Sequence, residues 1–118
     1  IINMTSINAE LGFPRNPAYN ASKGGLKMLG KAFAKDWSKF GIRVNNIGPG
    51  YIKTEMTSKR FANKKTRLER QNQTLLGRWG EPDDLIGPCI FLASDASKYM
   101  TGQDLYIDGG WIINSGLS

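Results

Sequence analysis

The stretch NPAYNASKGGLKMLGKAFAKDWSKFGIRVNNIG, residues 16–48, reads as one long helix running directly into a strand. Pro17 suits a first helical turn, where its missing N–H has no intrahelical partner. Asn16 before it is a candidate cap. Leu26, Leu29, Phe33, Trp37 and Phe40 recur at spacings of three and four and form one apolar stripe. Gly41 ends the helix, and IRVNNIG (42–48) follows as a strand.

Upstream, residues 1–5 of IINMTS read as a buried strand, and residues 7–16 form a loop with Gly12, Pro14 and Asn16 as turn formers. Downstream, PGYIKT (49–54) is a loop at the carboxyl end of the second strand. Residues 55–73 are charged and predicted helical, LLGRWG is a break, and EPDDLIGPCIFLASDAS (81–97) opens a helix with Pro82, Asp83 and Asp84 at its positive end. Gly87-Pro88 should kink or delay that helix. QDLYIDGG (103–110) is a third strand and residues 111–118 a tail. Strands alternating with helices imply a parallel sheet with helical crossovers. Ligands of such open sheets bind beyond the carboxyl ends of the strands. Ser6, residues 49–54 and the loop after residue 108 all fall there.

Composition narrows the chemistry. The 118 residues fit one domain, and at 40% hydrophobic they can build a core. Cys89 is the single cysteine, so no intrachain disulfide forms and a reduced, cytoplasmic setting fits. The absence of histidine removes the usual general base and the commonest metal ligand, so no metal site is expected. No apolar run approaches the roughly 20 residues of a membrane span. The net charge of +6 is concentrated in KRFANKKTRLER (59–70), which holds six basic residues and one acid. With one aromatic residue and no matching motif, that segment reads as a solvated helix face and not as a nucleic-acid surface. The opening IINMTS lacks an initiator Met and begins in mid-structure, so we expect the chain to be the C-terminal part of a longer protein.

Tyr19 and Lys23 carry the sharpest chemical signal. Four helical residues turn about 400°, so the two share a face. A phenol of ordinary pKa near 10 is a poor base at neutral pH. An ammonium about 4 Å away, at an effective dielectric near 20, favours the phenolate by roughly 4 kcal/mol, or about three pKa units. Such a phenol can both give and take a proton near neutrality, although burial opposes the shift. Taken alone the pair is weak evidence, because Tyr and Lys at this spacing are common. Lysines also recur at 23, 27, 31, 35 and 39; each step drifts about 40°, so Lys23 can look inward while later members face water. Ser6 ends the first strand, and its hydroxyl is placed to hold a substrate carbonyl oxygen beside Tyr19; the bland reading is a serine capping a turn. Thr5 should point away from Ser6 by strand alternation.

Several motifs together resemble the short-chain dehydrogenase/reductase family. IINMTS resembles the strand with its catalytic serine, YNASK its Tyr-x-x-x-Lys pair, RVNNIGPGYIKTEM its next motif block and TGQDLYIDGG its C-terminal strand. LGRWGEPDDLIGPCIFLASDAS is similar to the segment between those blocks. Within the family the chain looks most like gluconate 5-dehydrogenase-like and 3-oxoacyl-acyl-carrier-protein-reductase-like members.

The resemblance implies an α/β fold: the C-terminal half of a Rossmann-type doubly wound parallel sheet, with three strands and crossover helices. Residues 1–118 would be the C-terminal part of a single NAD(P)-binding domain whose N-terminal half is absent. It implies hydride transfer between NAD or NADP and a small-molecule carbonyl or alcohol. Tyr19 would be the general acid/base, and Lys23 would tune it and hold the nicotinamide ribose. Ser6 would orient the substrate, with Tyr19 and Met56 beside it. Pro49, Gly50, Ile52 and Thr54 would line the cofactor, and residues 55–76 would form a lid over the substrate. The full-length protein would be a homodimer or homotetramer. This chain lacks the N-terminal Gly-rich turn, the residue that selects NAD or NADP, and the upstream catalytic Asn. The alternative reading is therefore a catalytically silent fragment or pseudo-enzyme acting as an assembly module, its strand at residues 1–4 an open edge seeking a partner.

Overall fold

The computed structural model describes residues 1–114. Three parallel strands, β1 (Ile2–Met4), β2 (Asn45–Pro49) and β3 (Asp104–Ile107), lie side by side in that order. β1 pairs with β2 from Ile2↔Asn45 to Met4↔Ile47, and β2 with β3 from Asn46↔Asp104 to Pro49↔Ile107. The first crossover is α1 (Pro17–Trp37). The second runs through α2 (Ser58–Ala62), α3 (Lys64–Gln73) and α4 (Ile86–Ala93). The expected α/β layout with a central parallel sheet is thus present, and β2 is its buried middle strand, with Ile47, and Val44 just before the strand, fully enclosed.

α1 begins at Pro17 as expected, although the Asn16 side chain makes no capping bond. The α-helix stops at Trp37, one 3-10 turn (Ser38–Phe40) continues it, and Gly41 closes it with φ 72°. The face that α1 turns to the sheet is not the apolar stripe. Gly30 and Ala34 are its buried residues, whereas Leu29 is 45% and Phe40 68% exposed. A Cβ on Gly30 would run into the Asn46 and Asn3 side chains, so the helix approaches the sheet where it has no side chain. The sheet face below is polar: Asn46 Nδ2 donates to Lys27 O (3.2 Å) and Asp104 Oδ1 (2.8 Å). Lys27 pairs with Glu10, and Lys31 pairs with Asp104 at 2.6 Å. Lys23, Lys27 and Lys31 therefore look inward and only Lys35 and Lys39 face water. Polar partners on the sheet, invisible to helical periodicity, chose the inner face.

Two predicted helices are divided. Residues 55–73 break at Asn63, whose extended backbone (ψ 109°) ends α2 and whose side chain accepts from Thr66 N at 3.0 Å to cap α3. In 81–97, Pro82–Leu85 is a 3-10 turn and the α-helix starts only at Ile86. Pro88 thus falls in the first α-helical turn, where its missing N–H costs nothing: Gly-Pro delays the helix without kinking it. Ser94, in extended conformation, ends it before a last 3-10 turn, Asp95–Ser97. β2 starts at Asn45 and not at residue 42, because Arg43 turns out to donate to Ser97 Oγ and to the Leu92, Ser94 and Met100 carbonyls. β3 ends at Ile107, where Asp108 accepts from Gly110 N and Ile112 N and bends the chain away. Of the tail, residues 115–118 lie outside the described residues.

Candidate active site

Ser6, Tyr19 and Lys23 gather at the carboxyl end of β1. Lys23 Nζ donates to the Met4 carbonyl (2.9 Å) and lies 5.7 Å from the centre of the Tyr19 ring. The lysine is thereby held between the strand end and the first turn of α1, one turn beyond the tyrosine. No hydrogen bond occupies the Tyr19 hydroxyl among the described residues. Ser6 is buried and sits as the cap of the 3-10 turn Ile7–Ala9, its Oγ accepting from Asn8 N (3.1 Å) and donating to Asn8 Oδ1 (3.2 Å). The capping geometry is what the residue type favours locally, and it fixes the hydroxyl at the strand end. Thr5 points the other way, donating to Ile47 O at 3.0 Å.

Two asparagines that the sequence reading passed over tie this corner together. Asn8 Nδ2 donates to Asn20 Oδ1 (2.6 Å), and Asn20 Nδ2 donates to Phe13 O (2.8 Å). This relay fastens the turn that carries Ser6 to the helical turn that carries Tyr19. The local signals were their positions, two residues after Ser6 and one after Tyr19; their pairing across twelve residues carried no pattern.

The segment after β2 is shaped by close backbone approach. Gly50 N donates to Ile107 O (3.0 Å), and a Cβ on Gly50 would lie 2.8 Å from Asp108 Cα. Only glycine lets residues 49–54 leave the strand there. Ile52 is buried and bridges to Gly80: Gly80 N donates to Tyr51 O and Lys53 N to Gly80 O. The Ile52 carbonyl takes the Thr57 hydroxyl (2.6 Å), while its N–H faces off the bridge with no acceptor among the described residues. Thr54 caps the next turn jointly with Thr57. Met56 stands out at 80% exposed, on the turn Glu55–Thr57. A cleft of about 120 Å³ between residues 51–52, 76–84 and 107–109 lies beside this segment, lined by Ile52, Arg78 and Asp108 among others, and does not include Tyr19 or Lys23.

The expected lid segment rests on aromatic rings. Trp79, 3% exposed, packs edge-on to Phe61 and Tyr51, and its indole N–H donates to Arg67 O (3.0 Å). Tyr51 in turn meets Trp111 (5.6 Å), which stacks on Phe13 (5.1 Å). A wall of rings thus runs from the loop behind Tyr19 to the base of α3. Burial raises the Tyr51 phenol pKa against the pull of Arg70 and Arg60, so the hydroxyl is neutral at pH 7. Glu10 accepts from Lys27 and from the Tyr106 hydroxyl (2.8 Å), and those hydrogen bonds hold its carboxyl below the usual range.

Parallel strands joined by helical crossovers, with a tyrosine, lysine and serine converging beyond the strand ends, define a Rossmann-type α/β protein. The chain belongs to the short-chain dehydrogenase/reductase family: residues 1–112 match the family model described as enoyl-(acyl carrier protein) reductase. It is 42% identical over 112 residues to 2-dehydro-3-deoxy-D-gluconate 5-dehydrogenase of Escherichia coli (strain K12), covering 95% of this chain and 44% of that protein. It is 40% identical over 110 residues to gluconate 5-dehydrogenase of Gluconobacter oxydans (strain 621H), covering 93% and 43%. The fold matches the gluconate 5-dehydrogenase of Burkholderia cenocepacia solved with NADP and tartrate at a TM-score of 0.91 and 40% identity, over 94% of this chain and 44% of that one. A 4-hydroxyisoleucine dehydrogenase solved with NADH matches at 0.91 and 39%, over 94% and 46%. The chain therefore spans less than half the length of these relatives. No helix among the described residues is long and apolar enough to cross a membrane.

Proposed function

We propose that this chain is the C-terminal part of an NAD(P)-dependent oxidoreductase that interconverts a carbonyl and an alcohol on a small hydroxy-acid substrate. The observation that carries the reading is the placement of Lys23 over Tyr19, with Ser6 at the same strand end. In the reductive direction Tyr19 gives its phenolic proton to the carbonyl oxygen, and the Lys23 ammonium stabilises the negative charge left on the ring oxygen. Ser6 turns its hydroxyl from Asn8 Oδ1 to the same carbonyl oxygen and fixes its direction. The Asn8–Asn20 relay keeps the two hydroxyls in register.

The backbone after β2 supports a dinucleotide site, since the Ile52 N–H has no acceptor among the described residues. Pro49, Gly50, Ile52 and Thr54 would hold the nicotinamide side, with Lys23 at the ribose. The reduced nicotinamide, when bound, supplies the hydride. Met56 and residues 55–76 would cover the substrate. Similarity to gluconate dehydrogenases, and the tartrate in one relative, support a hydroxylated acid as substrate. The test is carbonyl-dependent oxidation of NADH or NADPH by the full-length polypeptide. Quenching of tryptophan fluorescence on dinucleotide addition gives a separate binding readout. Absence of both oxidation and quenching would overturn the reading.

The exposed stripe of α1, with Leu29 and Phe40, favours a second role in assembly. A Leu29→Lys/Phe40→Lys double variant tests it: unchanged sedimentation would remove that role.

A further inference from the structure

α3 turns the wrong face inward for an ordinary amphipathic helix. Arg67 and Arg70 are half-buried, while Leu68 between them is exposed. The Arg70 guanidinium lies 5.2 Å over the Tyr51 ring, and Arg67 lies 5.3 Å over Phe61 and donates to Phe61 O. Among the described residues no carboxylate lies within ion-pair distance of any basic residue of 59–70; the ion pairs all form elsewhere. Arg70 makes one side-chain hydrogen bond, to the neutral Gln73.

The Arg70 guanidinium brings positive charge to the Tyr51 ring, while the two carboxylates lining the cleft beside it are already engaged, Asp84 by Arg78 and Asp108 by Gly110 N and Ile112 N. The Tyr51 hydroxyl itself makes no hydrogen bond among the described residues. Trp111, tilted against the Tyr51 ring at 5.6 Å, has a buried Nε1 with no acceptor among the described residues, and a buried donor left unpaired costs about 1–3 kcal/mol. A guanidinium held over a ring keeps donors available and loses little freedom when it binds. The same wall of rings leads through Trp111 and Phe13 to the loop fastened to Asn20, next to Tyr19.

We infer that Arg70, with the Tyr51 hydroxyl, forms a recognition site for the anionic oxygens of a small-molecule substrate, a carboxylate or phosphate placed away from the reacting carbon. This deepens the proposed function: it names what selects the substrate where Tyr19 performs the chemistry.

The experiment is calorimetric titration of the full-length protein with three probes of one carbon skeleton: D-gluconate, D-glucitol 6-phosphate and neutral D-glucitol. The wild type should bind an anion at least tenfold tighter than glucitol, and the stronger of the two anions identifies the group. Arg70→Gln should weaken the anion by about tenfold, with glucitol unmoved. Tyr51→Phe keeps the ring beneath Arg70 and should weaken the anion several-fold; it serves where an arginine variant fails to fold. Equal binding of anion and glucitol by the wild type, or a preference unchanged in these variants, would overturn the site. Because binding is read without turnover, a protein that prefers anions through Arg70 but oxidises no NAD(P)H would keep this site and lose the reductase reading. The reverse result would separate them the other way.

Discussion

The Lys23 ammonium lies 5.7 Å from the centre of the Tyr19 ring, anchored by its 2.9 Å hydrogen bond to the Met4 carbonyl. The strand end thus sets where the helix places its charge. β1 supplies the acceptor, α1 supplies both side chains, and neither element alone fixes the pair.

Removing that charge while keeping the bulk should leave the fold and lose the chemistry. In the full-length protein Lys23→Met should lower kcat by about 10²–10⁴ and raise KM for the dinucleotide. Steady-state kinetics with both substrates varied separates the two effects. A change confined to the carbonyl substrate's KM would move Lys23 out of the proposed role.

Asn20 acts only through others, by holding the Ser6 turn to the Tyr19 helix. Asn20→Ala should loosen that corner and reduce kcat about tenfold or more with dinucleotide KM unchanged. Asn20→Asp retains an acceptor for Asn8 but no longer donates to Phe13 O, so it should recover part of the loss. Equal kcat in all three proteins would mean the relay is structural only.

The carboxylates beneath α1 predict an acid limb. Burial raises the Asp104 pKa, but hydrogen bonds from Lys31 and Asn46 and the nearby lysine charges outweigh it, and the net shift is downward. Glu10 is also lowered, by its hydrogen bonds to Lys27 and Tyr106. Their contributions are complete above the ordinary carboxylate values of 4.5 and 3.8 and vanish as pH falls through the lower folded ones. Urea midpoints between about pH 6 and pH 2 should fall less steeply in Asp104→Asn than in the wild type. Parallel curves would show that Asp104 is not a stabilising anion.

Arg43 joins the entry of β2 to the end of α4 through four acceptors: Ser97 Oγ and the Leu92, Ser94 and Met100 carbonyls. An ammonium cannot reproduce this planar fork. Arg43→Lys should cost about 2 kcal/mol or more, because several acceptors lose a charged donor together. Chemical denaturation measures it; a change within about 0.5 kcal/mol would contradict the picture.

What was legible in the sequence was local. Pro17, the stripe from Leu26 to Phe40 and Gly41 marked the helix, and its order between strands set the parallel sheet. Tyr19 and Lys23 shared a face because four residues make one turn. The inner face of α1 was hidden, because Gly30 and Lys27 are matched to Asn46, Asp104 and Glu10, partners far away in the chain. The hydrogen bond from Tyr106 to Glu10 spans 96 residues, beyond any periodicity. Asn63 did carry a readable cap signal ahead of Thr66, but the charged run around it looked continuous. The ring wall of Phe13, Trp111, Tyr51 and Trp79 draws on four separate segments and exists only after folding.

The central claim is that Tyr19 delivers the proton to the substrate oxygen. The most direct measurement is the rate of NAD(P)H oxidation by full-length Tyr19→Phe, with dinucleotide binding and circular dichroism confirming an intact, loaded protein. The account predicts a loss of about 10³-fold or more in kcat with binding retained. Turnover within tenfold of the wild type would contradict it.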